Sequence, residues 1–168
     1  MVDDFIIWAA GLFDGEGSIT IKRPSYSLQV SIANSFKPAL ELFRQRFSGS
    51  LGLVKKAGEP ISGSRYFSKV NSYQFVFTYE GARAFLTTAL PYLRIKRAEA
   101  ELALDYLSTI ESLKSLRTGY GVAKKITGIE RKARINFRAR LRAIRQSPDL
   151  VTLNEPIVVP QLRLFSNN

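Results

Sequence analysis

Residues 8–19 read WAAGLFDGEGSI, and this stretch constrains the chain more than any other. An apolar run from Phe5 to Phe13 leads into two acids, Asp14 and Glu16, along a backbone that includes Gly11, Gly15 and Gly17. Glycine inside a helix costs about 1 kcal/mol relative to alanine. A helix carrying Ala9, Ala10 and Gly11 among bulky apolar residues therefore gives up stability for close approach, and another helix is the natural neighbour. The plain alternative is a buried amphipathic helix followed by a glycine-rich turn. Either way, the acids fall where the helix ends.

Composition narrows the chemistry. The 168 residues suit one domain with a substantial core. There is no cysteine and no histidine, which excludes disulfides, thiolate metal sites and the commonest general base. A metal would be held by oxygen, favouring Mg²⁺, Mn²⁺ or Ca²⁺. No apolar run approaches the ~20 residues of a membrane span. The first apolar run follows Asp3 and Asp4 rather than basic residues, unlike a signal peptide. An intracellular protein is expected, in cytoplasm or organelle, not secreted and not membrane-bound. The net charge of +11 is unevenly spread: residues 1–17 hold four acids and no base, whereas residues 117–145 hold ten bases and one acid, Glu130. Such a basic surface suggests a polyanion partner, most often nucleic acid.

Periodicity places the elements. Residues 4–14 form the first helix, with Asp3 or Asp4 as its cap. Ile19 and Ile21 alternate with Thr20 and Lys22, and Leu28, Val30 and Ile32 alternate with Ser27, Gln29 and Ser31. This period of two predicts a strand pair with one apolar and one polar face, joined through Arg23, Pro24 and Ser25. Hydroxyl, amide and ammonium groups on the polar face are of the kind that reads base edges. A short helix over Pro38 to Phe47 follows, with Ser35 as candidate cap. A second strand pair is expected over Leu51–Lys56 and Arg65–Thr78, made basic by Lys55, Lys56, Arg65 and Lys69. Its inward phase stays open, because Tyr73, Phe75 and Phe77 compete with Val70 and Val76.

Helices are then expected from Glu80 to Leu90 and from Arg94 to Leu113, the second with a stripe of Ile95, Ala98, Leu102, Tyr106, Thr109 and Leu113. Arg94, Lys96 and Arg97 at its start oppose the helix dipole, a local conflict of the kind found at functional sites. After a loop over residues 114–126, Thr127 and Glu130 fit a capping box. The helix they open has an apolar stripe of Ile129, Ala133, Phe137, Leu141 and Ile144, and its other faces carry Arg131, Lys132, Arg134, Arg138, Arg140, Arg142 and Arg145. Pro148 ends it, and residues 149–168 read as an extended arm.

The segment AAGLFDGEG, Ala9 to Gly17, resembles the signature of the LAGLIDADG homing endonucleases, with alanine for the usual first leucine and Glu16 for the usual final aspartate. PYLRIKRAEAELAL, Pro91 to Leu104, resembles the family segment that carries a lysine near the cleavage site, and Lys96 holds that position. The resemblance implies an α+β fold, an αββαββα core with a four-stranded antiparallel DNA-binding sheet shaped as a saddle, plus an extra basic helix at the C-terminal end. The core would occupy residues 1–113, the basic helical extension 114–148 and the tail 149–168.

A single signature implies a homodimer joined through the first helix at Trp8, Ala9, Gly11 and Leu12, and this brings two Glu16 carboxylates together. Like charges at short range need a cation between them; the resemblance implies a metal held by Glu16 with the Gly15 carbonyl as a further ligand, Mg²⁺ or Mn²⁺, with Ca²⁺ as a non-catalytic substitute. Lys96 would assist catalysis. The family's polar residue after the second strand has no obvious counterpart in Ala33–Lys37, where Lys37 is the expected substitute. Asp14 is expected to brace the helix end rather than bind metal. The DNA-binding set is Thr20, Lys22, Arg23, Ser27, Gln29, Ser31, Lys55, Arg65, Lys69 and Arg138. The implied function is site-specific double-strand cleavage at a long target by an intron-encoded enzyme. The alternatives are an RNA-splicing maturase and a non-catalytic DNA-binding regulator on the same fold.

Overall fold

The computed structural model describes residues 3–61, 63, 65–114, 117 and 126–147. Their order is α1 (Asp4–Glu16), β1 (Gly17–Lys22), β2 (Ser27–Asn34), α2 (Lys37–Arg46), β3 (Gly49–Lys55), β4 (Ser72–Phe77), α3 (Tyr79–Ala89), a 3₁₀ turn (Leu90–Tyr92), α4 (Arg97–Lys114) and α5 (Gly128–Gln146). The strands form one antiparallel sheet in the order β1-β2-β4-β3. The architecture is the expected α+β one, with helices gathered on one face of a four-stranded sheet. None of the described helices is long and apolar enough to cross a membrane. The expected extended arm, the Pro148 stop and most of the loop before α5 lie outside the described residues.

Register decides which face each side chain takes. Ile19 pairs with Val30, Ile32 with Phe75, and Leu51 with Phe75. Those positions point to the helices, and Ile19, Val30, Ile32 and Phe75 are buried. The open phase question in β4 is thereby answered: Phe75 and Phe77 face the core and Val76 faces away. Phe43, Phe75, Phe77 and Phe85 form an aromatic cluster with ring centroids 4.8–6.3 Å apart, the spacing at which such pairs add stability beyond burial. A bulge between Leu53 and Lys55 inserts one residue, so that Lys55 pairs with Ser72 on the opposite face from Leu51 and Leu53.

Several expectations are corrected. The fourth strand begins at Ser72, not Arg65; residues 65–71 belong to the connection, where Tyr66, Phe67 and Val70 are exposed. Ser35 does not cap α2. Asn34 accepts a hydrogen bond from the Phe36 amide at 2.8 Å instead. Helix α4 starts at Arg97, which leaves Ile95 outside it and 77% exposed rather than on the apolar stripe.

The capping box of α5 is half formed. The Thr127 hydroxyl accepts from the Glu130 amide at 3.1 Å. The Glu130 carboxylate, fully buried, turns instead to Arg117 (2.7 Å) and Arg134 (2.8 Å). Arg134 reaches on to the Tyr106 hydroxyl at 2.9 Å, and that hydroxyl donates to the Tyr26 carbonyl at 2.8 Å. Phe137 and Leu141 bury the rest of this face, while Ile129, expected on it, is exposed.

Candidate functional site

The site begins where α1 ends. The Gly17 amide donates to the Phe13 carbonyl and closes the last turn. A side chain at position 17 would meet the Phe13 ring and carbonyl at 2.4 Å, so the last glycine of the motif is required by this chain's own packing. Gly11 and Gly15 are different: an added Cβ at either meets nothing within 4 Å. Ala9 and Ala10 are fully buried inside the chain's own core. Ala9 is therefore not surface available to a second copy, contrary to the expectation from the motif. Trp8 and Gly11 are exposed and Leu12 is half-buried.

Asp14 braces the end of α1, and its partner is the segment before α4. Its carboxylate accepts from the amides of Arg94 (2.7 Å), Ile95 (3.2 Å) and Lys96 (2.9 Å). The segment that carries the three cations therefore supplies three backbone amides to a buried acid, while the Arg97 side chain pairs with Glu101 at 3.2 Å. The Lys96 ammonium donates to the Asp14 carbonyl, one of the last carbonyls of α1, which have no intrahelical donor. Lys96 is thus fixed at the negative end of the helix dipole. Asp14→Ala would strand three amides around a buried site and should cost about 3 kcal/mol. Asp14→Asn, keeping one acceptor oxygen, should cost less. Urea midpoints with amide exchange at residues 94–96 check this; unchanged protection of those amides in the alanine variant would discard the brace.

Glu16, two residues on, is exposed and makes no ion pair or side-chain hydrogen bond among the described residues. Among the described residues no group of three acidic or histidine side chains comes together. One chain offers the Glu16 carboxylate and the carbonyls of a helix end. That oxygen-only set suits Mg²⁺, which keeps several waters and binds through one or two carboxylates plus substrate phosphates. Lys37 is not joined to this end by any interaction. It opens α2, pairs with Glu41 at 3.5 Å and sits 5.8 Å over the Tyr73 ring.

From Glu16 the chain passes directly into β1. The sheet face away from the helices carries Thr20, Lys22, Ser27, Gln29 and Lys55, as expected for the polar phase. Ser31 shares that phase but is 3% exposed, because Gln74 lies over it and donates to its hydroxyl at 3.1 Å. Gln74 was missed as a face residue, since its phase could not be read without the β2–β4 register. Arg23 is exposed in the β1–β2 turn, and Arg65 and Lys69 are exposed in the β3–β4 connection. Arg138 is half-buried on α5.

No protein-family model matches the chain, and no curated protein is detectably similar in sequence. Solved structures do match. The archaeal intron-encoded homing endonuclease I-Vdi141I, complexed with DNA, aligns with a TM-score of 0.56 at 14% identity over 82% of each chain. The LAGLIDADG meganuclease I-AabMI, bound to uncleaved DNA, aligns with a TM-score of 0.55 at 18% identity, covering 90% of this chain and 52% of its own. The fold is that of the LAGLIDADG homing endonucleases. On that fold the motif helix α1 carries Asp14 and Glu16 at its end, and the chain spans about half the length of the I-AabMI chain.

Proposed function

We propose that this protein is a divalent-metal-dependent DNA endonuclease that binds duplex DNA on the open face of its sheet and acts as a homodimer. One observation carries the reading: Glu16, without a side-chain partner among the described residues, and Lys96, tethered to the Asp14 carbonyl, both lie at the end of α1, where the chain turns into the polar sheet face. The solved structures of this fold named above are complexed with DNA. Thr20, Lys22, Ser27, Gln29 and Lys55, with Gln74, would face the base edges. Arg23, Arg65, Lys69 and Arg138 would neutralise phosphates, which position the duplex without reading it.

Two copies related through α1 supply two Glu16 carboxylates and two Gly15 carbonyls, enough to hold Mg²⁺ or Mn²⁺. The ion supplies Lewis-acid stabilisation of a phosphoryl oxygen during hydrolysis. The protein's own part is positional. Asp14 holds the backbone of residues 94–96, and the Asp14 carbonyl takes one hydrogen of the Lys96 ammonium. Two ammonium hydrogens remain for a phosphate oxygen as negative charge grows on it. Hydrolysis adds one water across one P–O bond in each strand. Lys37, bound to Glu41, would reach the phosphate only by releasing that partner.

The decisive experiment incubates the protein with Mg²⁺ and a randomised duplex library and sequences both bound and cut molecules. Cut products from a single long site are expected. Specific binding without any cutting would make the protein a DNA-binding regulator; preference for structured RNA would make it a maturase.

Gly11 tests the dimer. It is an exposed glycine inside a helix with open space around it. Gly11→Ala should stabilise the single chain by about 1 kcal/mol and weaken self-association on DNA. Sedimentation with a full-length site, alongside urea melts, checks both arms. Stabilisation with undiminished pairing would remove Gly11 from the interface.

A further inference from the structure

The basic residues of α5 fall into two sets. Arg134, Arg140 and Arg145 each meet a carboxylate, at Glu130, Asp105 and Glu99. Arg131, Lys132, Arg138 and Arg142 meet none among the described residues, and two of these, Arg138 and Arg142, line a cavity. These two lie four apart on the helix, three and seven residues after Ile135, so all three side chains share one face. That face borders the cavity, of about 510 Å³ between α5 and the β1–β2 hairpin, whose lining includes Thr20, Arg23, Ile135, Arg138, Arg142 and Arg145. No acid lines it. Arg145 is already matched by Glu99, so among the described residues the guanidiniums of Arg23, Arg138 and Arg142 stand without an acidic partner around one concavity.

A concave surface with one sign of charge and low-dielectric walls concentrates field. Guanidinium groups match phosphate geometry with paired N–H donors. A water occupies about 30 Å³, so the cavity has room for a phosphate with its sugar and solvent. Thr20 supplies continuity, since its side chain belongs both to the open sheet face and to the cavity wall. A polyanion lying along the sheet passes from Thr20 over Arg23 into this groove. We infer that the groove between α5 and the β1–β2 hairpin grips the sugar–phosphate backbone of the duplex, beyond the segment under the sheet. This rests on the reading that the sheet's open face binds duplex DNA. The groove adds affinity and register, and no sequence preference. The paired arginines of α5 hold the helix in place and leave the unpaired ones for DNA.

The test measures equilibrium binding of the full chain to a mixed-sequence duplex long enough to extend past the sheet at both ends, as salt is varied. The Arg138→Gln/Arg142→Gln protein should keep its fold by circular dichroism. Each lost phosphate contact lowers the log–log salt slope by about one. The variant's affinity deficit should therefore shrink about ten-fold between 50 and 200 mM salt. Arg44→Gln, on α2 and paired with Glu41, should leave the slope unchanged. A double variant with the wild-type slope overturns the groove while leaving sheet binding intact. Wild type that binds no duplex at all overturns the parent reading. A groove for free phosphate would show as stabilisation of wild type by inorganic phosphate, lost in the double variant, with duplex slopes equal; that outcome also overturns the proposal. An unchanged duplex slope with a lowered slope on an RNA hairpin does the same.

Discussion

The Glu16→Gln protein should bind its duplex within a few-fold of wild type and lose Mg²⁺-dependent cleavage by about a thousand-fold. The carboxamide keeps the shape of the side chain and removes the charge that would hold a divalent cation. Nothing in the fold depends on that charge: Glu16 is exposed and has no partner among the described residues. Binding should, if anything, tighten, because one negative charge near the phosphates is gone. Glu16→Asp separates charge from reach. It keeps the carboxylate on a shorter arm and should retain measurable cutting. Single-turnover cleavage of a selected site, with binding measured in parallel, reads both effects. Normal cutting by the glutamine variant would remove Glu16 from the site; loss of binding together with cutting would show that the carboxylate supports the fold.

The second large effect concerns stability. Glu130 is fully buried between Arg117 and Arg134, and Arg134 is itself buried. Removing one member of a buried ion pair costs far more than the pair contributes, because the remaining charge stays without its partner. Glu130→Gln should destabilise the protein by about 3 kcal/mol. Replacing Glu130 and Arg134 together by leucine and methionine should recover much of this, since no charge is then stranded.

Acid adds a further signature. The hydrogen bond from Arg117 holds the Glu130 carboxyl below its ordinary value of 4.5, against the opposing effect of burial and with Arg134 adding to the depression. Above pH 4.5 the folded and unfolded states are both ionised and the full contribution is present. Below it the unfolded chain takes up the proton first, so stability falls as pH drops, until the folded state is protonated too. Urea midpoints across this range should decline more steeply for wild type than for Glu130→Gln. Parallel curves would mean that the triad carries no linked stability.

The strands were legible wherever a period of two met a matching partner. Ile19 and Ile21 against Val30 and Leu28 needed no further information, because a one-residue slip would expose the whole apolar set. Residues 65–71 misled because Tyr66, Phe67 and Val70 look like strand residues, and nothing local says that this stretch folds back on residues 58–61, with Phe67 bridging Pro60, instead of extending β4. Lys55 reached the open face through a bulge, which alternation alone does not reveal. In the candidate site, Asp14 was legible as a brace of the helix end, but not the three amides that it receives from eighty residues away, and the roles proposed for Glu16 and Lys96 rest on likeness. The arginines of α5 look alike in sequence. Their division into paired and unpaired depends on Glu130, one turn before Arg134 on the same helix, and on Glu99 and Asp105, which only the packing of α4 against α5 brings into reach.

The Arg145 guanidinium donates to the main-chain carbonyl of Ile19. Strand β1 lies at one edge of the sheet, and β3, at the other, is kinked by its bulge at Leu53–Lys55. Exposed edges recruit further strands, and proteins blunt them with charges and bulges. Here both margins are blunted by those two devices. Growth of the sheet by strand addition is discouraged at either side, so assembly of this chain is directed away from edge-to-edge joining, and the same blunting protects the chain against β-type aggregation.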